Sequence, residues 1–412
     1  MAPLSFSVRR RDPELIVPAA PTPRETKRLS DLDDQDALRS LIPGVFVYRA
    51  GDGGDPVDVI RRAIAAVLVP YYPLAGRLRE VEDRKLVVDC TGEGVVFVEA
   101  DADVTAAELG LRPPFPCSDR LLVDGGDGAV VDSPLNHVIC DAAGLVMFLD
   151  AVADHAGARR RDQAAVSPPP PWCRELLDAR NPPNPSSSWF PLFHGEDHAA
   201  PPPPPPDTMM PMRSFSFSAG DIAVLKRRHH RENATSFEVL AAFVWRAHAA
   251  AAAASTGDGE EACLAFIVSV RSNGELRLPG GYYGNAAVPA TATMPVSSLL
   301  RGPLADVVDR VRDAKAAAAT AEYVRSTVDS MALARRRRRP MVGNFLIISD
   351  VRRTGLHRVD FGWGPPIYGG PVKTMVGATF FVAAGEDEVV VPVVLPAAAM
   401  ERFASEVERV HS

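Results

Sequence analysis

Apolar positions along the chain follow two different periods, and each period predicts its own elements. Val57, Ile60, Ile64, Val67 and Leu68 recur at the spacing of one helical face, behind an Asp55-Pro56 start that supplies an N-cap and a first-turn proline. That helix must stop at Pro70-Tyr71-Tyr72-Pro73, ahead of Leu74-Ala75-Gly76-Arg77-Leu78. Lys85 to Asp89 and Gly94 to Val98 then read as strands, the second with alternating valines and a phenylalanine. A second helix is predicted from near Asp141, through Leu145, Phe148, Leu149 and Val152. Later, Arg213-Ser214-Phe215-Ser216-Phe217 alternates as a strand should. Thr235-Ser236-Phe237-Glu238 reads as a capping box opening a helix that carries Leu240, Phe243, Val244 and Trp245, and Ala249–Ala254 adds helix propensity to its end. Phe345-Leu346-Ile347-Ile348 and Glu388 to Leu395 look like buried strands, and Ala398 to Val410 like a closing helix.

Proline interrupts this pattern in the middle. The chain has 38 prolines in 412 residues, against a usual ~5%. They crowd the entry Pro13–Pro23 and the stretch with Pro168–Pro171, Asn181-Pro182-Pro183-Asn184-Pro185 and Pro201–Pro206, none of which suits a helix or a central strand. The expected organisation is therefore an N-terminal domain over 1–156, a Pro-rich linker over 157–212 and a C-terminal domain over 213–412, both domains mixing strands and helices.

Charge narrows the function classes. Lys and Arg number 45 and Asp and Glu 52, a net −7, which argues against a nucleic-acid binder with its basic face. Val389 to Met400 is apolar but carries Pro392 and Pro396 and is too short for a bilayer span of ~20 residues. The N-terminus lacks the charge order of a secretory signal, and Val-His-Ser at the end is no peroxisomal or endoplasmic-reticulum address. Cys90, Cys117, Cys140, Cys173 and Cys263 are scattered, odd in number and without CxxC spacing, so neither a disulfide framework nor a metal site is expected, and a reducing cytoplasm fits.

Two segments can carry chemistry. In Pro134-Leu135-Asn136-His137-Val138-Ile139-Cys140-Asp141-Ala142-Ala143-Gly144 a histidine stands where an apolar stretch meets a helix start. An imidazole there can act as general base, and Asp141 can either orient it or bond elsewhere and fix the turn. In Asp360-Phe361-Gly362-Trp363-Gly364-Pro365 two glycines flank a tryptophan in what reads as a tight turn, presenting a large ring and its indole N–H. Arg335–Arg339 reads as a solvated loop, a phosphate clamp or a nuclear address, and His229-His230 as part of an exposed helix after Arg227-Arg228.

Together, His137-x-x-x-Asp141-x-x-Gly144 and Asp360-Phe361-Gly362-Trp363-Gly364 resemble the plant BAHD family of acyl-CoA-dependent acyltransferases. The resemblance extends to Tyr72-Pro73-Leu74-Ala75-Gly76-Arg77-Leu78, Ser236-Phe237-Glu238-Val239-Leu240, Tyr283-Gly284-Asn285 and Leu395-Pro396. Pro18-Ala19-Ala20-Pro21-Thr22-Pro23, Leu29-Ser30 and Pro113-Pro114-Phe115-Pro116 look most like its benzyl alcohol O-benzoyltransferase branch.

That resemblance implies an α/β (α+β) fold of two similar-sized chloramphenicol acetyltransferase-like domains, with mixed sheets, flanking helices and a channel between them. It implies His137 as the base that deprotonates an alcohol or amine acceptor, and Trp363 as donor to the developing oxyanion. Asp360 is sometimes labelled catalytic in the family but is expected to hold its loop by an ion pair. Asp141 pairing with Arg271, together with Gly144, Gly362 and Gly364, would support the site, while Thr235, Ser236, Ser349 and Asp350 would contact CoA. The acyl-CoA is a co-substrate, with no permanently bound cofactor and no metal, and the protein is expected to be a cytoplasmic monomer of plant specialised metabolism. The run Asp132-Ser133-Pro134 meets Leu135-Asn136-His137 directly, where the resemblance implies a further hairpin. A homologue lacking it would bind CoA esters or a partner without turnover, and an N-acyltransferase would use the same base.

Overall fold

The structure, a computed structural model, describes residues 6–39, 43–49, 55–105, 108, 136–157, 169–186, 210–252, 260–334, 344–385 and 387–411. The chain forms two compact units: Met1–Asp178 with Arg277–Ala286 and Arg353–Val372, and Ala179–Leu276 with Ala287–Arg352 and Lys373–Ser412.

This partition differs from the one composition suggests. The division falls between Asp178 and Ala179, and the Asp360–Gly364 motif belongs to the first unit, not to a C-terminal domain. The cause is long-range pairing, which composition does not report. Strand β13 (Tyr368–Pro371) pairs antiparallel with β4 (Gly44–Val47), so the 353–372 segment completes a ladder begun far earlier. The described parts of the expected linker are also packed rather than free. Arg174, in a short 3₁₀ helix (Arg174–Leu177), is fully buried in the first unit. In the second unit, buried Asp329 accepts from Arg180 N (2.7 Å), Arg180 Nε (2.7 Å) and Asn184 N (2.8 Å). Pro201–Pro206 and Arg335–Arg339 lie outside the described residues.

The first unit is built from small antiparallel ladders. β1 (Val8–Arg10) pairs with β8 (Ala100–Ala102), β2 (Glu14–Ile16) with β7 (Val95–Phe97), and β3 (Thr26–Arg28), β6 (Leu86–Asp89) and β5 (Arg77–Glu80) form a three-stranded sheet. Helix α1 (Pro56–Val67) starts as its sequence predicts: Asp55 accepts from Val57 N–H (3.0 Å) with proline in the first turn, and Ala63 and Val67 are buried. It packs on α2 (Ala142–Ala156), capped by Asp141 and ended by Gly157 at φ 100°, a left-handed value that suits glycine.

The second unit is organised by one mixed six-stranded sheet in the order β11-β10-β12-β14-β15-β9. These strands are β9 (Met212–Ser218), β10 (Glu261–Ser269), β11 (Ala287–Pro295), β12 (Asn344–Asp350), β14 (Ala378–Ala384) and β15 (Glu388–Val394). β12 runs parallel to β10 and β14, and the outer pairs are antiparallel. Its helices are α3 (Ala219–Arg228), α4 (Ser236–Ala252), α5 (Val296–Arg301), α6 (Leu304–Ala318), α7 (Ala321–Ala334) and α8 (Ala397–His411). The predicted capping box is present at α4: Thr235 N–H donates to Glu238 Oε2 (3.0 Å) and Glu238 N–H to Thr235 Oγ1 (3.3 Å). α4 packs on α6 and α8, and twelve of its seventeen residues are buried, Trp245 completely. α3 ends at Arg228, so His229 and His230 lie beyond the helix, with His229 half-buried. Among the described residues no helix is long and apolar enough to cross a membrane.

Candidate active site

His137 opens a turn that leads into α2. Asn136 shapes it: its carbonyl accepts from Ile139 N–H (2.8 Å) and its side-chain oxygen from Val138 N–H (3.2 Å), while Val138, Ile139 and Cys140 are buried. The imidazole Nδ1 is buried and has no hydrogen-bond partner among the described residues. The carbonyl of His137 accepts from Asn285 Nδ2 (2.8 Å).

Sequence left two roles open for Asp141, and the geometry favours the turn. Its Oδ1 accepts from Gly144 N–H (3.0 Å), capping α2, and its Oδ2 accepts from Ala286 N–H (3.0 Å). One carboxylate therefore joins the helix start to the segment 277–286. The third motif position must be glycine for a related reason. A Cβ on Gly144 would stand 2.0 Å from the Tyr283 carbonyl oxygen and 2.8 Å from Cys140 Cβ. At the neighbouring Gly284, a Cβ would stand 2.1 Å from Arg174 Nη1. The two chain segments cross at Gly144, against the Tyr283 backbone, while Gly284 makes room for the Arg174 guanidinium.

The second motif lies in the same unit as His137. Asp360 Oδ1 accepts from the N–H groups of Gly362 (2.8 Å) and Gly364 (2.9 Å), so its carboxylate is bonded into its own loop. Gly362 and Gly364 have φ of 103° and 86°, left-handed values that explain both glycines. Phe361 is buried and Trp363 half-buried. Tyr48, just past β4, meets both rings edge-on at centroid distances of 5.6 Å and donates its hydroxyl to the Val359 carbonyl (2.9 Å). Burial, reinforced by the Asp360 charge, raises the Tyr48 phenol above its ordinary value and keeps it a donor. Gly355 brings the segment against α2, where a Cβ would stand 3.0 Å from Val146 Cγ1.

The remaining expected site residues fall in the second unit. Arg271 follows β10 and has a buried Nε. Thr235 and Ser236 stand at the start of α4, where the Thr235 and Glu238 N–H groups are already engaged in the capping box and Glu238 pairs with Lys315 (2.9 Å). Burial opposes ionisation of Glu238, but Lys315 and the Thr235 bonds outweigh it and hold its carboxyl below the usual value. Ser349 and Asp350 close β12, and Asp350 forms a two-armed pair with Arg352 (2.8 and 2.6 Å).

Sequence reasoning missed three side chains beside His137. Asn285 entered only as part of a resemblance, nothing in the sequence pattern singles out Asp33, and Arg174 sat inside the supposed linker. The available signal for Arg174 was its company: Trp172, Tyr282 and Tyr283 surround it, with its guanidinium carbon 4.3, 5.5 and 5.1 Å from their ring centroids.

Comparison with known proteins completes the picture. Residues 6–410 match the model of the Transferase family. The chain is 43% identical over 441 residues to the benzyl alcohol O-benzoyltransferase of Petunia hybrida, covering 98% of this chain and 94% of the relative. Among solved structures it is similar in fold to vinorine synthase (TM-score 0.75, 20% identity, 98% of each chain covered). It also shares the fold of F. sporotrichioides TRI101 complexed with coenzyme A and T-2 (TM-score 0.66, 14% identity, covering 93% of this chain and 98% of that one). With the family model spanning nearly its whole length and both motifs in place, the chain belongs to the Transferase family, the BAHD acyl-CoA-dependent acyltransferases.

Proposed function

We propose that the protein transfers an acyl group from an acyl-CoA thioester, of benzoyl-CoA or acetyl-CoA type, to an alcohol such as benzyl alcohol, forming an ester in plant specialised metabolism. The observation that carries this reading is the 43% identity to a benzyl alcohol O-benzoyltransferase along almost the entire chain, together with His137 and Trp363 held in one unit. Because Nδ1 of His137 is buried, Nε2 is the nitrogen left for chemistry. It takes the proton of the acceptor hydroxyl as the oxygen attacks the thioester carbonyl. The indole N–H of Trp363 donates to the resulting oxyanion. Collapse breaks the carbon–sulfur bond, and the imidazolium returns its proton to the leaving CoA thiolate, giving ester and free CoA. Asp141 and Asp360 act through backbone, each fixing one motif's turn, and an Asp141–Arg271 pair remains part of the proposal. Thr235, Ser236 and Ser349 are proposed CoA contacts; Asp350 is the weaker one, since Arg352 already occupies its carboxylate. The junction from Asp132 to Leu135, where the hairpin of relatives is expected to be missing, lies outside the described residues. Cys90, Cys140, Cys173 and Cys263 form no disulfide among the described residues, which suits a reducing compartment, and we place the protein in the cytoplasm.

The test is release of free thiol from benzoyl-CoA or acetyl-CoA with benzyl alcohol, with the ester identified by mass spectrometry. His137→Ala is expected to lose a factor of about 10²–10⁴, the usual worth of a general base. Absence of thiol release across a broad donor and acceptor panel, or an undiminished His137→Ala rate, would overturn the reading.

A further inference from the structure

One carboxylate in the first unit is buried more completely than any polar side chain of the two motifs. Asp33 is 0% exposed, and its Oδ2 is satisfied locally by Ser30 N–H (3.1 Å) and Ser30 Oγ–H (2.6 Å). Its Oδ1 gathers three donors from two remote segments: Arg174 Nη1 (2.9 Å), Asn285 N (3.0 Å) and Asn285 Nδ2 (2.9 Å). Each carrier then extends one further N–H to the same turn. Arg174 Nη2 donates to the Ile139 carbonyl (2.8 Å), and the Asn285 amide donates to the His137 carbonyl (2.8 Å). The backbone under His137 thus hangs from one carboxylate oxygen by two one-residue bridges.

The pair is costly in isolation. The Asp33 and Arg174 side chains are 0% and 1% exposed, and removing two charges from water costs several kcal/mol per ion before their attraction compensates. Burial alone would depress the Arg174 guanidinium, but Asp33 together with Tyr282 and Tyr283 more than offsets it and holds the pKa above the ordinary value. An apolar pair would stabilise such a core as well. What it would lack is fixed donors aimed at two carbonyls of one turn, and that is the property retained here.

We propose that Asp33, Arg174 and Asn285 are positioning residues that set where the His137 imidazole stands. Trp172 lies against Arg174: its ring centroid is 4.3 Å from the guanidinium carbon, and its indole N–H donates to the Arg28 carbonyl (2.8 Å), tying the contact to β3. The inference rests on His137 being the general base. A displacement of ~1 Å at a reacting group costs about 10² in rate, so the bridges act on turnover rather than on acyl-CoA binding.

The experiment compares Asn285→Ala in the wild-type and His137→Ala backgrounds, with rates normalised to the calorimetric stoichiometry of CoA binding. In the wild-type background kcat is expected to fall by about 10–100-fold, with the acyl-CoA KM unchanged. In the His137→Ala background the slow residual turnover is expected not to fall further, since no base is left to position. A purely structural role would lower both backgrounds by one factor, and that result overturns the proposal, as does a wild-type kcat in Asn285→Ala. Arg174→Lys keeps the buried charge but deletes the arm to Ile139. It is expected to lower kcat several-fold at constant KM, and an unchanged kcat there also counts against the proposal. If His137→Ala itself retains full activity, the base assignment has failed instead.

Discussion

Gly144→Ala sets two physical effects of opposite sign against each other. Alanine is the better helix former by about 1 kcal/mol, so an unobstructed site near the start of α2 would be stabilised. The structure puts the new Cβ 2.0 Å from the Tyr283 oxygen and 2.8 Å from both the Tyr283 carbonyl carbon and Cys140 Cβ. Nothing there is the free end of a flexible side chain, so α2 and the 283–286 segment must part by about an ångström. Overpacking of this kind costs about 1–3 kcal/mol, occasionally more, and the backbone obstacle places this case at the upper end, so a net loss of roughly 2 kcal/mol is expected after the propensity gain. The same displacement pulls on Asp141–Ala286 (3.0 Å) and Asn285–His137 (2.8 Å), so kcat should fall along with stability. Urea unfolding gives the first quantity and thiol release from benzoyl-CoA the second. Gly274→Ala is the control, because a Cβ there meets nothing within 4 Å, and its change should stay within ~0.5 kcal/mol. A Gly144→Ala protein as stable as wild type, or more so, with normal turnover refutes the reasoning about this crossing.

Three further outcomes are expected. Asp360→Asn preserves an oxygen for the Gly362 and Gly364 N–H groups and should keep kcat within about threefold, whereas Asp360→Ala should lose ~10-fold or more by releasing Trp363; equal losses would show that charge, not hydrogen bonding, is at stake. Tyr48→Phe removes the bond to the Val359 carbonyl but keeps the ring against Trp363, so unfolding should come about 1 kcal/mol more easily with kcat retained, and a large loss of kcat would contradict this. His248 is buried with its pKa pushed down from 6.5 to about 4, so the unfolded chain binds a proton that the fold refuses between those values. Stability from this residue is complete above the unfolded value and falls by up to ~1.4 kcal/mol per pH unit on acidification below it. Urea midpoints of His248→Gln should accordingly decline less than wild type between pH 7.5 and 5, and parallel declines would rule this residue out as the source.

Local elements were legible in the sequence because their causes are local. The Asp55-Pro56 start and the apolar face of α1, the capping box of α4 and the alternation in β9 all act within a few residues. His137 and the Gly-Trp-Gly turn were legible as residue types in a short pattern. What supports them was not, because each support comes from far along the chain: Gly144 is small on account of Tyr283, and Asp360 shares a unit with His137 through β13 and β4. Asp31, Asp33 and Asp34 carry no apolar pattern that announces burial, yet they are 8%, 0% and 2% exposed. Their partners Lys85, Arg174 and Arg39 stand in three different segments. Proline content misled for a similar reason, since it marks where helices and central strands end but not whether the intervening chain packs.

The excursions 277–286 and 353–372 give the molecule a particular order of assembly. His137 leaves the ribosome 148 residues before Asn285, and β4 waits still longer for β13. Until those segments emerge, Asp33 and Arg174 are a charge pair without the amide that links them to the histidine. A nascent chain ending at Asp178 therefore lacks the Asn285 bond to His137, the Ala286 bond to Asp141 and the β13 partner of β4. Synthesis of the base and its arming are separate events, and the second depends on residues read well after it. A split version cut at 178/179 is thus expected to recover turnover only when both pieces refold together.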